Sequence, residues 1–338
     1  MSLAVTFWSP EWAHHFENAD FRRFFTKHTA LGQLATKAQY YPNRGEHFFQ
    51  RASALFHQPS TLPVALTQAH VDLDAIHNDG FWLLVQPVQM MADRDTLLMV
   101  PGEDLAIEQV ESRALFDAFN CHFAQDGVAL IWGSALRWYL KVPQVVDIQT
   151  TPLNLAAYRS LHGLFPQGHA ANYWRKLMNE TQMLFYTHPV NQLRRAQGKA
   201  EINSVWIWGE GALQTSELVA RPQAQIWSEH TYLQGMAKLT QAGVAPAVAD
   251  YQSWLALRAP SAQVHLIHQP LTLFADETIT DQAREALFSH WEASWFSGLR
   301  EGLLSGLIDS LYIDLGLKQH FLLTPRDLKR FWRWRNPL

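Results

Sequence analysis

INSVWIWGEG, residues 202–211, decides the fold class. Ile202, Val205 and Ile207 stand among Trp206 and Trp208 in a short apolar run that reads as a strand, and Gly209 and Gly211 permit a sharp turn at its end. In open α/β sheets ligands settle at such strand ends, so the turn marks a candidate binding place. The residues just before it, NETQMLFYTHPVNQLRRAQGKAE (179–201), are a run rich in charged and amide residues whose first part belongs to a helix. It begins near Gly168, carries Trp174, Leu177, Thr181, Leu184 and Phe185 on one face, and sets Asn179, Gln182 and Tyr186 on another. Pro189 disfavours helical geometry at His188 and ends it. Asn191 then caps a short turn bearing Arg194 and Arg195, closed by Gly198.

Asn179, Glu180, Gln182, His188, Asn191, Arg194, Arg195 and Asn203 form a dense polar group between apolar elements. Arginines grip carboxylate or phosphate, a histidine exchanges protons near neutrality and amides fix hydroxyls, which are the parts of a phospho-sugar site. The same residues equally suit a helix surface whose amides and arginines cap the following turn. Glu210 inside the glycine pair disfavours a phosphate cradle and leaves a cationic or hydroxyl ligand, or a plain turn. On the ligand reading, Trp206 and Trp208 wall the site.

The flanking sequence extends the α/β pattern. LPVALTQAHVDLD and GFWLLVQPVQMMADRDTLLMV read as strands, EQVESRALFDAFNCHFAQ as a helix stopped by Gly127, and VALIWG with RWYLKV as a hairpin. After residue 211, HTYLQGMAKLTQAG reads as a helix, SAQVHLIHQPLTLF as a strand, and a long helix runs through Leu287, Trp291, Trp295, Leu299 and Leu303. Leu311, Ile313 and Leu315 alternate as a strand facing HFLLT, and Thr324, Pro325 and Asp327 start a helix. Residues 1–60 read as mostly helical, with a start at Ser9-Pro10. The expected organisation is a helical segment 1–60, an α/β domain 61–211 carrying the polar motif, and an α/β part 212–338 that could continue it. The fold class is α/β, a mixed sheet layered with helices.

Composition narrows the function. The 338 residues are 48% hydrophobic and 17% charged, a globular profile. A net charge of −4 gives no basic field for nucleic acid. The basic C-terminal cluster Lys329, Arg330, Arg333 and Arg335, with Trp332 and Trp334, reads as a solvated helix or a contact for an anionic surface. One cysteine, Cys121, excludes an intrachain disulfide, resembles a buried helix residue and fits the cytoplasm. No signal peptide and no membrane span are read. The 14 tryptophans suit grooves or a homodimer interface.

Other chemical candidates are weaker. His265 and His268 fall on opposite faces of a strand, and His14 and His15 point apart on a helix, so neither pair shares a metal. Asp72 and Asp74 would share a strand face, as a hard-cation pair or as solvated turn residues. Asp93, Arg94 and Asp95 make a salt-linked hairpin or present Arg94 to a ligand. No Ser-centred elbow and no His-Glu-x-x-His occurs.

QPVQMMADRDTLLM, RWYLKV and NETQMLFYTHPVNQLRRAQGKAEINSVWIWGEG together resemble bacterial RpfE-type regulatory proteins, many of them labelled cofactor-independent phosphoglycerate mutase. The likeness runs from about Val64 onward and is strongest over Trp174–Gly211. INSVWIWGEG followed by YLQGMAKLTQAG is also similar to the place where archaeal-type phosphoglycerate mutases return from an inserted domain to a core of the alkaline phosphatase superfamily. The resemblance implies a nucleophilic serine and two divalent metals, Mn or Mg, held by an Asp-Gly turn near the N-terminus and Asp-His and His ligands further on. This N-terminus lacks the first set, and VHLIHQPLTLF lacks the acid-rich His motif of the second. The expectation is therefore a remnant of that architecture, without a cofactor, that binds an anionic metabolite or a protein through His188, Arg194 and Arg195. The alternatives are a metal-dependent phosphomutase or phosphatase with His188 as acid or base, and a structural homodimer.

Overall fold

The computed structural model describes residues 3–12, 26, 28–45, 47–93, 96–270 and 281–329. Twelve strands are described: β1 Ala4–Trp8, β2 Gln39–Pro42, β3 Phe81–Asp93, β4 Thr96–Pro101, β5 Leu130–Trp132, β6 Trp138–Val142, β7 Ser204–Gly211, β8 Ala224–Trp227, β9 Gly243–Ala245, β10 Val264–His268, β11 Ser310–Asp314 and β12 Gln319–Leu323. They divide between two compact units, one made of residues 1–61 with 218–338 and the other of residues 62–217. The N-terminal segment shares a unit with the C-terminal part, and beside its helices it carries β1 and β2 of that unit's sheet.

The first unit holds a seven-stranded sheet in the order β2-β12-β11-β1-β10-β8-β9. The run β11, β1, β10, β8, β9 is parallel, and β12 and β2 are added antiparallel. AVTFW is too short to show a strand period against the helical pattern that follows it, so only its two neighbours identify it as a strand. Phe7 packs edge-on to Trp291 and Phe296, and Trp12 packs on Trp291 at 5.0 Å. The helix Asp281–Trp291 passes through a π turn, Glu292–Phe296, into Ser297–Ser305. Glu292 accepts the first N–H groups of the helix Ala30–Lys37, from Ala30 and Leu31.

The second unit is antiparallel throughout: β3 pairs with β4, β6 and β7, and β5 pairs with β6. Val64–Asp72 is a helix, not the expected strand, because Val64, Ala65, Leu66, Thr67, Gln68 and Ala69 are all buried, which leaves no period to read in the sequence. The expected helix at 168–187 is present as Ala171–Thr187, as are the 109–123 helix, the β5–β6 hairpin and the β11–β12 hairpin. Gly209 and Gly211 remain within β7, where the register slips opposite Trp82 and Leu84. A Cβ at Gly209 would lie 3.1 Å from the Val64 side chain, and one at Gly211 2.9 Å from Pro63. Glycine with positive φ therefore serves close approach to a helix rather than a sharp turn.

Cys121 is exposed, which corrects the buried reading: the helix Gln109–Phe123 buries Leu115, Phe116, Phe119 and Phe123 instead. Every described tryptophan except Trp132 is buried within the chain, so their abundance reflects core. No described helix is long and apolar enough to cross a membrane. His14, His15, Arg94, Asp95 and the terminal cluster from Arg330 onward lie outside the described residues.

His265 is a buried histidine with a clear structural cost. The indole N–H groups of Trp227 and Trp254 both donate to its Nδ1, at 3.0 and 3.3 Å, so the ring must stay neutral. Burial pushes its pKa down to about 4; Arg258 adds to this and a backbone bond at Ala262 opposes it. A folded-state value below the unfolded one means the contribution is whole above about pH 6.5 and is lost as pH falls toward 4. Denaturant unfolding is expected to show on the order of 2 kcal/mol less stability at pH 5 than at pH 7.5 from this residue, and His265→Asn is expected to flatten that limb.

Candidate functional site

In the first unit the register aligns the carboxyl ends of four parallel strands. Trp8 of β1 is level with His268 of β10 and with Asp314 of β11, and Ser228 directly follows β8 at the same level. The strand-end rule points to this edge, since β7 lies in an antiparallel sheet where the rule has no force. The row is internally bonded. Ser228 Oγ is 2.9 Å from His268 Nδ1, the Trp8 and His268 rings are 5.3 Å apart, and Trp8 Nε1 donates to Asp314 Oδ2 at 3.2 Å.

Asp314 is 1% exposed and accepts three further hydrogen bonds at Oδ1, from Asn43 at 3.0 Å, Gly316 N at 2.9 Å and Arg51 at 3.4 Å. Burial raises its pKa, against the pull of Arg51 and the N–H donors. His268 turns its Nε2, which has no hydrogen-bond partner, toward Glu11 Oε1 at 3.8 Å, while Phe48 and His230 flank the ring.

The two metals implied by the resemblance do not fit this row. The end of β1 supplies an indole and a hydroxyl, Trp8 and Ser9, where a metal-binding acid is implied, and the Asp314 carboxylate is already surrounded by donors. No three His, Cys, Asp or Glu side chains gather as a ligand set among the described residues. Sequence reading missed the row because its members stand at 8, 228, 268 and 314 and only the sheet brings them level. The available signal was three short apolar runs, AVTFW, VHLIH and LYID, each followed within two residues by Pro or Gly.

The polar group read from the sequence lies in the second unit, where most of it is engaged with the protein. Arg194 is 1% exposed and commits every nitrogen: Nη1 to Glu111 at 2.6 Å, Nη2 to the Leu105 carbonyl at 2.5 Å and Nε to the Ala200 carbonyl at 2.6 Å. Asn191 is buried, donates to the Phe185 and Ile202 carbonyls and accepts from Ile202 N, each at 2.8 Å. Asn203 pairs with both backbone groups of Met90. Trp206 donates to the Thr151 carbonyl, Trp208 to Gln86, and Glu210 accepts from Thr150. His188 caps the helix Pro189–Ala196 by accepting from Val190 N, and burial lowers its pKa. Arg195 pairs with Glu201 at 2.6 Å over the Tyr186 ring, and Glu180 with Lys176 at 3.5 Å. Gln182 is half-buried on the helix Ala171–Thr187.

Asn179 is placed differently. It lines a cleft of about 580 Å³ together with Thr96, Ser160, His162 and Arg175, over Leu97, Leu161 and Phe165. Arg175 is fixed through Nε to the Pro166 carbonyl at 2.9 Å. Arg175 and Asn179, four apart on one helix face, could have been paired from the sequence, whereas Thr96 and Ser160 depend on backbone bonding of 158–161 alongside β4. The Asp72 carboxylate is bound by Arg137 at 2.7 Å and Tyr139 at 2.6 Å, which accounts for it without a cation.

Arg194→Ala strands the Glu111 charge and two carbonyls in a dry site. It is expected to cost about 3–5 kcal/mol in denaturant unfolding, whereas Arg195→Ala, at an exposed pair, is expected to cost under about 1 kcal/mol.

No family model matches the chain. Over 108 residues it is 24% identical to the 2,3-bisphosphoglycerate-independent phosphoglycerate mutase of Methanosarcina barkeri, a match spanning 31% of this chain and 27% of that enzyme. Over 129 residues it is 28% identical to the probable 2,3-bisphosphoglycerate-independent phosphoglycerate mutase of Geobacter sulfurreducens, spanning 38% and 32%. The chain thus matches about a third of the length of these relatives. Among solved structures it is similar to the cofactor-independent phosphoglycerate mutase of Thermoplasma acidophilum, with a TM-score of 0.52 at 11% identity over 99% of this chain and 93% of that one. It is also similar to the PH0037 protein of Pyrococcus horikoshii, with a TM-score of 0.53 at 12% identity over 95% and 85%. The chain carries the mixed α/β fold of the cofactor-independent phosphoglycerate mutases and is their distant homologue.

Proposed function

We propose that this protein is a phosphoglycerate-mutase-like scaffold that acts by binding an anionic small metabolite, in a regulatory role, and not by two-metal phosphoryl transfer. One observation carries the reading: in the row Ser228, His268, Trp8 and Asp314 the one carboxylate is taken up by internal donors, and the imidazole has its Nδ1 on Ser228. A carboxylate ringed by N–H donors has little capacity left for a cation, and an indole at a strand end offers none. The cleft at Arg175 gives the metabolite a place. Its volume suits a small ligand, its floor is apolar, and Arg175 with Asn179, Ser160 and Thr96 supplies one cation and neutral polar groups for an oxyanion and hydroxyls. The likeness to RpfE-type regulatory proteins accords with this reading.

Phosphorylated three- to six-carbon metabolites are the compounds to screen by thermal shift, each with and without Mn²⁺. A ligand at about a hundred times its Kd adds roughly 2.7 kcal/mol of stability. A metal-independent shift that Arg175→Ala removes is expected; turnover of phosphoglycerate that requires Mn²⁺ would overturn the reading.

The second reading, a metal-dependent phosphomutase or phosphatase on small phosphorylated metabolites, draws on the local identity with the mutases of Methanosarcina and Geobacter. It predicts turnover that His188→Ala abolishes, with His188 as acid or base, beside the loss of about 1 kcal/mol of stability that removing the helix cap brings. Under the binding reading no such turnover exists to lose.

A further inference from the structure

We infer that the first unit carries a separate binding site for a small oxyanion-bearing metabolite, in the cleft lined by Arg44 and His57. This inference does not rest on the Arg175 cleft.

The local backbone is built to present His57. The helix Phe48–Leu55 closes with paired reversed bonds, His57 N to the Ala54 carbonyl at 3.0 Å and Gln58 N to the Ser53 carbonyl at 2.9 Å. That closure puts the residue after the cap in the left-handed region, a place glycine ordinarily takes, and here His57 occupies it at φ +52°. The buried amide of Gln58 locks the loop: Nε2 donates to the Phe56 and Val219 carbonyls at 2.9 Å each, and Oε1 accepts from Val219 N at 3.0 Å. Arg221 adds Nε to the Phe56 carbonyl at 3.2 Å. The carbonyls of Ser53, Ala54 and Phe56 at this helix end are thereby taken up.

Among the described lining residues of the cleft the charge is one-sided. The cleft encloses about 500 Å³, its lining includes Arg44, Gln50, His57, Gln58 and Ser60, and no described lining residue is a carboxylate. Arg44 makes no ion pair, and the His57 imidazole no hydrogen bond, with any described residue. Burial first, then the Arg221 and Arg44 charges, holds the His57 pKa below its ordinary value. The cleft lining thus sets the Arg44 side chain and the His57 imidazole together, with the Ser60 hydroxyl beside them. A phosphate or polycarboxylate group meets those donors, and a cation or an apolar ligand does not.

The test is titration of inorganic phosphate, and separately of citrate, into the full chain, read by isothermal titration and by the ¹H–¹⁵N shifts of the His57 imidazole. Saturable movement of the His57 signals is expected with at least one of the two; phosphate as the tighter binder indicates a phosphate ester, and citrate a polycarboxylate. Arg44→Gln and His57→Gly are each expected to weaken binding about tenfold or more. Glycine suits the left-handed position, so H57G is expected to keep the wild-type unfolding midpoint or exceed it, which separates lost binding from lost fold. Arg175→Ala, which alters only the cleft of the second unit, is expected to leave this binding unchanged. Absence of a saturable His57 response to either anion, wild-type affinity in H57G, or binding lost in R175A overturns the inference.

Discussion

Everything in the first unit depends on β1 being hydrogen-bonded on both edges by strands that arrive more than 250 residues later. Ala4 pairs with Val264 on one side and with Ser310 on the other, and Trp8 with His268 and Asp314. A strand of five residues has no stability of its own, so its backbone groups are satisfied only when β10 and β11 are in place. The chain must therefore leave this sheet after residue 61 and return at 218, and residues 62–217 form a unit of their own. The sheet in the first unit is slow to assemble for the same reason, since its central pairings close the longest loops in the molecule.

The same register fixes the chemistry of the strand ends. Parallel in-step pairing brings Ser228, His268, Trp8 and Asp314 level, and the identities of those four residues then determine what the edge can do. With an indole where a carboxylate is implied by the resemblance, the edge becomes a hydrogen-bonded and stacked row, with Trp8 donating to Asp314 and lying against Phe48 at 4.7 Å. The fold of a phosphoglycerate mutase is thus kept by backbone pairing and core burial, neither of which needs the metal ligands. Scaffold and chemistry are separable because different atoms carry them.

In the second unit, polar residues do structural work that their types alone do not announce. Arg194 and Glu111 join the helices Pro189–Ala196 and Gln109–Phe123, and Asn191 bonds the end of one helix and the start of the segment leading to β7. A buried guanidinium needs all its donors answered, and three partners from separate segments answer them. In sequence such a residue is indistinguishable from a ligand-binding arginine, since both require a fork of donors and a carboxylate or carbonyl opposite. Arg175 differs in its surroundings: its Nε donates to the Pro166 carbonyl, and the residue lines the cleft.

By itself the sequence determined what local chemistry dictates. The α/β class followed from apolar runs and helical spacing, the end of the helix at His188 from Pro189, the β5–β6 and β11–β12 hairpins from their turn residues, and the opposite facing of His265 and His268 from the two-residue strand period. The resemblance of INSVWIWGEG followed by YLQGMAKLTQAG pointed to the mutase fold. Tertiary structure alone decided that AVTFW is a central strand, that VALTQAHVD is a helix, that Gly209 and Gly211 serve close packing, and that the dense polar group is mostly spent on backbone. Those outcomes depend on which partner lies 3 Å away, and partners from residues 8, 228, 268 and 314, or 44, 57 and 221, have no signature in local spacing. Short-range periodicity encodes the elements; the unsatisfied capacity of a side chain, which makes a site, exists only once every neighbour is in place.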